Sequence, residues 1–170
     1  GLGRAAPDEA GACAALLAAT PLGGHRVLPG PVGETNLYAL HPRGRIAALA
    51  GSEAGLRAQL GAILATGNAA VVEAGNPARA ALAGLPPAVA ARIATVDDWA
   101  AVPDLAGVLA EGAAPLLAAL ARVAERDGAV IPVIAAGSDE PCDLARLVEE
   151  RVVSTNTAAA GGNASLMTIG

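Results

Sequence analysis

The chain of 170 residues has no phenylalanine and no lysine, and only two cysteines, two histidines and two aromatic residues, Trp99 and Tyr38. Each scarcity excludes something. Eleven arginines stand against 16 acidic residues, for a net charge of −5, so the basic surface that would neutralise phosphates is missing and no nucleic-acid partner is expected through this chain. The near absence of aromatics also removes the stacking platforms that single strands require. No stretch reaches the roughly 20 uncharged apolar residues of a membrane span. The best window, residues 100–121, is interrupted by Asp104, Glu111, Pro103 and Pro115. His25 and His41 are isolated, and Cys13 and Cys142 lack the spacing of metal ligands, so no metal site is expected. The two cysteines are read as buried free thiols of a cytoplasmic domain, with a bridge between them as the alternative. The apolar run 10–19 follows Pro7, Asp8 and Glu9 where a signal peptide would carry basic residues. The chain opens on Gly1 rather than Met, which is read as a fragment or a trimmed form.

What is present points to a folded domain. Hydrophobic residues make up 54% of the chain and charged residues 16%, a balance that offsets chain entropy and argues against disorder. With so few aromatics the core must be built from Ala, Leu and Val, so the elements must approach closely. A helix is expected from Asp8 to about residue 19 and a short strand over 25–28. Residues 35–41 alternate as a strand does, Pro42-Arg43-Gly44 reads as a turn, and 45–50 reads as a second strand that pairs with the first as a hairpin. Helices are then expected over 53–65, 77–83, 86–92 and 113–125, the last with Leu116, Leu117, Leu120 and Val123 facing inward. Strands are expected over 69–73, 93–96, 104–110 and 129–135. Ser138 is expected to cap a helix reaching Glu150, followed by a last strand near 151–155. Apolar strands alternating with helices predict an α/β fold: a Rossmann-like, mostly parallel sheet flanked by helices, with a β-hairpin or flap and an extended C-terminal tail. The whole chain, 1–170, reads as one domain: an α/β core over 1–150 with its flap near 34–50, then a terminal strand and tail over 151–170.

No catalytic pattern emerges. The first strand-to-helix turn, Gly51-Ser52-Glu53-Ala54-Gly55, lacks the three-glycine dinucleotide spacing, and Glu53 there is expected to repel a pyrophosphate. No Walker sequence and no nucleophile elbow occur. Asp97-Asp98 and Glu149-Glu150 are read as solvated pairs. Cys142 sits among acidic residues that raise a thiol pKa, so neither cysteine reads as a nucleophile. Gly161-Gly162-Asn163 can form an anion-binding nest. It can equally let the backbone pack tightly against another surface, the reading preferred here because no helix follows.

Two segments carry a resemblance. Pro42-Arg43-Gly44-Arg45-Ile46-Ala47-Ala48-Leu49, with Leu64-Ala65-Thr66-Gly67-Asn68-Ala69-Ala70-Val71-Val72-Glu73, resembles the cofactor-domain core of the aldehyde dehydrogenase superfamily. In active members a lysine that contacts the adenosine ribose of NAD ends the second segment. Here Glu73 stands in its place, and Ala74 replaces the proline that follows. Gly51-Ser52-Glu53-Ala54 replaces a Trp-Asn-Phe-Pro segment whose Asn lines the oxyanion hole, and the catalytic Cys and Glu segments have no counterpart. The resemblance therefore implies the fold and argues against the activity, with no catalytic residue, no metal and no cofactor in this chain.

The second resemblance is more specific. Val153-Ser154-Thr155-Asn156-Thr157-Ala158-Ala159-Ala160-Gly161-Gly162-Asn163-Ala164-Ser165-Leu166-Met167-Thr168-Ile169-Gly170 closely resembles the C-terminal motif of proline utilization A proteins, and Leu28-Pro29-Gly30-Pro31-Val32-Gly33-Glu34-Thr35-Asn36 resembles the entry to the same domain. That family joins an FAD-dependent proline dehydrogenase to an NAD-dependent L-glutamate-γ-semialdehyde dehydrogenase, so FAD and NAD are implied for the parent and neither for this chain. Its longer members add a non-catalytic aldehyde-dehydrogenase-like domain. The resemblance implies that this domain packs on the dehydrogenase module of the same or a partner polypeptide and covers the cavity through which the intermediate travels. The tail residues suit such a seam. Asn156, Thr157, Asn163 and Ser165 can satisfy backbone groups. Ala160, Gly161, Gly162 and Ala164 allow close approach. Leu166, Met167 and Ile169 can anchor in apolar pockets. A degenerate NAD-binding domain and a dimerisation module remain the rival readings.

Overall fold

A computed structural model describes residues 6–156, with side chains from residue 11 onward. Thr157 to Gly170 lie outside the described residues, as do residues 1–5. In chain order the elements are α1 (Ala6–Ala19), β1 (His25–Leu28), β2 (Glu34–Pro42), β3 (Arg45–Leu49), α2 (Glu53–Ala65), β4 (Ala69–Glu73), α3 (Pro87–Ala90), β5 (Ile93–Val96), β6 (Leu105–Ala110), α4 (Ala113–Ala124), β7 (Val133–Ala135) and β8 (Val148–Asn156). Short 3-10 turns cover Arg79–Leu82, Trp99–Ala101 and Leu144–Leu147.

Five strands form a parallel sheet in the order β5-β4-β3-β6-β7. Numbered within the sheet, that is 3-2-1-4-5, the order of a doubly wound α/β fold. Both faces are covered. Ile46, Ala48 and Ala50 pack with Leu56, Leu60 and Ile63 of α2, while Ala47 packs on the other face with Val108, Trp99 and Ala119 of α4. Burial on both faces is why these strands are continuous apolar runs.

Local chemistry sets the limits of α2. Ser52 caps it, its Oγ accepting from Gly55 N at 2.9 Å, and Glu53 pairs with Arg57 one turn on. At the other end Thr66 Oγ1 donates to Ala62 O, and Gly67 takes φ +70, where a Cβ would also lie 2.9 Å from Leu22 and Pro42. Asn68 then joins three segments. Its Oδ1 accepts from Gly44 N at 2.9 Å, while its Nδ2 donates to Thr66 Oγ1 at 2.9 Å and to Leu147 O at 2.8 Å.

Three strands form a second, antiparallel sheet in the order β1-β2-β8. β2 pairs with β8 along its whole length, from Glu34 opposite Asn156 to Pro42 opposite Val148. This corrects the expected hairpin: β2 and β3 lie in different sheets, so residues 34–42 belong to the flap and 45–49 to the centre of the core. The turn cannot close a ladder because Gly44, at φ +132, gives its N–H to Asn68 and its carbonyl to Ala69 N.

Four further expectations are corrected. The helix from Ser138 to Glu150 does not form. Pro141 interrupts the segment, and pairing with β2 draws 148–156 into a strand. On α4, Leu117 and Leu120 are exposed and Ala119 is the buried contact. Successive helical residues turn by about 100°, so the face shared by Leu116, Ala119 and Val123 leaves Leu117 on the far side and Leu120 at the flank. β7 starts at Val133 rather than 129 because Pro132 has no N–H to pair; its carbonyl accepts from Val108 N instead. The cysteines are both free, but Cys13 is exposed and Cys142 only partly buried, so the expectation of buried thiols fails.

Candidate functional site

In a doubly wound sheet, ligands bind outside the carboxyl ends of the strands where the strand order reverses. Here that point lies between β3 and β6. Their register places Leu49 opposite Ala110, so the turn 50–52 and Glu111 meet at the crevice. The N-terminus of α2 opens onto it, with the free N–H groups and partial positive charge that attract an anion.

The anion found there is the Glu111 carboxylate. Its Oε2 accepts from Gly51 N and Ser52 N, each at 3.0 Å, and Ser52 Oγ donates to it at 3.0 Å. Its Oε1 accepts from Ser138 N at 3.3 Å, on the loop that follows β7. Desolvation alone would raise this carboxyl, but the hydrogen bonds from Ser138, Ser52 and Gly51 outweigh it and hold the group below the ordinary glutamate value. Two glycines shape the space. A Cβ on Gly55 would lie 2.1 Å from Glu111 Oε1, and one on Gly137 would lie 2.7 Å from its Cγ. Gln59, fully buried one turn along α2, donates to Ala136 O at 2.8 Å and ties the Gly137-Ser138 loop to the helix.

This geometry does not fit a dinucleotide. The acidic group at this turn is not Glu53, which turns to Arg57, but Glu111, which accepts from the amides at the start of α2. At the end of β4, Glu73 Oε1 accepts from Trp99 N at 3.3 Å, so the residue that the resemblance sets at the ribose-lysine position serves a backbone turn. Asp98 is likewise engaged. Ala100 N and then the Arg122 guanidinium, 2.8 Å away, hold it below the usual carboxylate range, and Arg122 also lies over the Trp99 ring. Burial, and then Asp143, push the Cys142 thiol up to about 11, so it is held as the thiol near neutral pH. Among the described residues no cluster of His, Cys, Asp or Glu is placed to hold a metal, and no helix is long and apolar enough to cross a membrane.

The second candidate region is the flap. Val27 stands opposite Leu37, and Leu37 opposite Val153, so three apolar side chains form one row across the sheet. They are 67%, 42% and 61% exposed. The opposite face carries Arg26 over Tyr38, whose hydroxyl donates to Glu150 at 3.0 Å. Among the described residues β8 lies at the edge of the sheet and ends at Asn156, opposite Glu34. Of the tail residues singled out from the sequence, Asn156 is placed at that strand end. Thr157, Ala160, Gly161, Gly162, Asn163, Ala164, Ser165, Leu166, Met167 and Ile169 lie outside the described residues. His25 and His41 fall on β1 and β2. Glu111 escaped notice in the sequence because only the strand order brings it to Gly51 and Ser52.

The sheet order, the covered faces and the switch-point crevice define a doubly wound, Rossmann-like α/β unit. The structure superposes on a NAD-dependent benzaldehyde dehydrogenase from Corynebacterium glutamicum with a TM-score of 0.55 over 76% of this chain and 31% of that one, at 18% identity, a likeness of fold. A bifunctional proline utilization A (PutA) crystal structure matches with a TM-score of 0.54 and 26% identity, over 75% of this chain and 15% of that one. In sequence, the bifunctional protein PutA of Rhizobium meliloti is 44% identical over 99% of this chain and 14% of its own length. That of Salmonella typhimurium is 42% identical over 87% of this chain and 11% of its own length. No family model matches. The chain belongs to the PutA family, and spans a small part of the curated relatives it matches.

Proposed function

We propose that this chain is a non-catalytic structural domain of a bifunctional proline-to-glutamate enzyme, which binds FAD and NAD elsewhere in the polypeptide. The domain packs its flap on the aldehyde dehydrogenase module, of its own or a partner polypeptide. Its C-terminal motif then closes the cavity that carries the intermediate. The observation that carries this reading is continuity: β8 leaves the core, crosses the flap beside an uncovered apolar row and leads directly into the motif. An apolar row of this kind is normally covered by a partner, and an open strand edge can take main-chain hydrogen bonds from one. Enclosure serves the chemistry, since an aldehyde intermediate otherwise escapes to water.

The carboxylates at both cofactor positions support the non-catalytic reading over residual NAD affinity. The test is deletion of residues 156–170 from the full-length enzyme, followed by a coupled assay from proline to glutamate. The expected result is a lag before product and loss of coupled turnover, with proline oxidation retained. Unchanged coupled turnover would overturn the lid. Light scattering on full-length protein with and without the domain separates this role from dimerisation.

A further inference from the structure

We infer that the outer edge of β5 is a docking site for a short extended peptide of another protein, one that carries an aliphatic side chain and, two residues away, an Asp or Glu. The inference goes beyond the structural role proposed above and does not depend on it, since it uses neither the flap nor the tail.

Three observations carry it. The first is a free strand edge. Among the described residues β5 closes one end of the parallel sheet. The carbonyls of Arg92 and Val96 accept from Ala70 N and Ala74 N, at 2.9 and 2.8 Å, so residues 92, 94 and 96 turn their main-chain groups toward β4. These groups alternate in direction along a strand, so the N–H and C=O of Ile93 and Thr95 point away from the sheet. The second is the lack of protection. Native sheets blunt their edges with charge, proline or very short strands. β1 carries His25 and Arg26, β8 carries Glu149, Glu150 and Arg151, and β7 is three residues long behind Pro132. β5, Ile-Ala-Thr-Val, has neither charge nor proline. The third is a seat beside that edge. The side chains of Ile93 and Thr95 line a surface groove of about 610 Å³ together with Leu82, Leu85 and Arg79. The Arg79 side chain is exposed and has no partner among the described residues.

These features select the occupant. An added strand takes main-chain bonds from Ile93 and Thr95, lays an aliphatic side chain on Leu82, Leu85 and Ile93, and sets a carboxylate against Arg79. Side chains two residues apart share a face, which fixes their spacing. So few bonds and one seat fit a short linear segment, not the broad interface of permanently joined modules. A second copy of this chain fits less well, because its own β5 brings no acid to Arg79.

The experiment uses the full-length enzyme carrying this chain and the capped peptide acetyl-Thr-Leu-Thr-Glu-Thr-Leu-Thr-amide, whose sequence is the same in either strand direction. Calorimetric titration should show one peptide bound saturably per chain. A peptide with Lys in place of Glu should bind about tenfold more weakly, and Arg79→Glu should reverse that order. Thr95→Pro removes only an outward N–H and keeps the ladder with β4, so it should abolish binding. Should Thr95→Pro fail to fold, the charge reversal at exposed Arg79 still decides the matter. No saturable binding to the wild type, equal affinity for the two peptides, or crystals of the enzyme in which β5 pairs with a second copy would overturn the inference.

Discussion

The two sheets of this protein use similar residues to opposite ends. In the parallel sheet Ile46, Val71, Val72, Val108 and Leu109 are fully buried, and helices or 3-10 turns cover both faces. In the antiparallel sheet Val27, Leu37, Val152 and Val153 remain exposed, although two of its strands are nine residues long and paired throughout. Backbone pairing alone therefore does not distinguish them; the covering layer does. The core sheet satisfies its apolar surface within the chain. The flap leaves its apolar row exposed, and its hydrogen bonds hold it in shape.

Substitutions break this contrast in a graded way. The largest effect is expected from Ile63→Ala, which opens a cavity against the sheet at a fully buried position and should cost about 2–5 kcal/mol in denaturant unfolding. Asn68→Ala should cost about 1–3 kcal/mol by the same measurement, since it leaves the buried carbonyl of Leu147 and the N–H of Gly44 without their partner. The smallest effect belongs to the flap. Val153→Thr keeps the β-branched shape on an exposed strand and should move stability by no more than about 0.5 kcal/mol. If instead it destabilises the chain as much as Asn68→Ala does, the flap is part of the core and the contrast fails.

Much of the core was readable because its signals are local. Strands 69–73 and 93–96 and helix 53–65 were expected with the bounds the structure shows. An apolar run bounded by Gly67-Asn68, and a Ser-capped helix of alternating leucines, depend only on neighbours in sequence. The failures share one cause. Strand 34–42 was assigned to its nearest neighbour, but its partner is β8, more than a hundred residues away along the chain. The acidic stretch after Ser138 looked like a helix start because cap chemistry is local. The competing strand pairing of 148–156 is not. On α4 the leucines indicated the apolar side, yet close packing of an alanine-rich core put Ala119 at the contact and left Leu117 outside.

The same division holds for the site. The likeness to a family that carries lysine at the position of Glu73, and the motif of residues 153–170, were read from the sequence, because each is a matter of which residue stands where in a contiguous pattern. Glu111 was not. Its meaning comes from a parallel pairing that sets residue 111 beside 51 and 52, and from a loop at 137–138 that closes the third side. The sequence by itself determined the α/β class and the family, since these rest on short-range pattern and residue identity. Only the tertiary structure decided which carboxylate fills the crevice and which apolar residues stay uncovered. Both depend on strand order and layer packing, and those are properties of distant segments brought together.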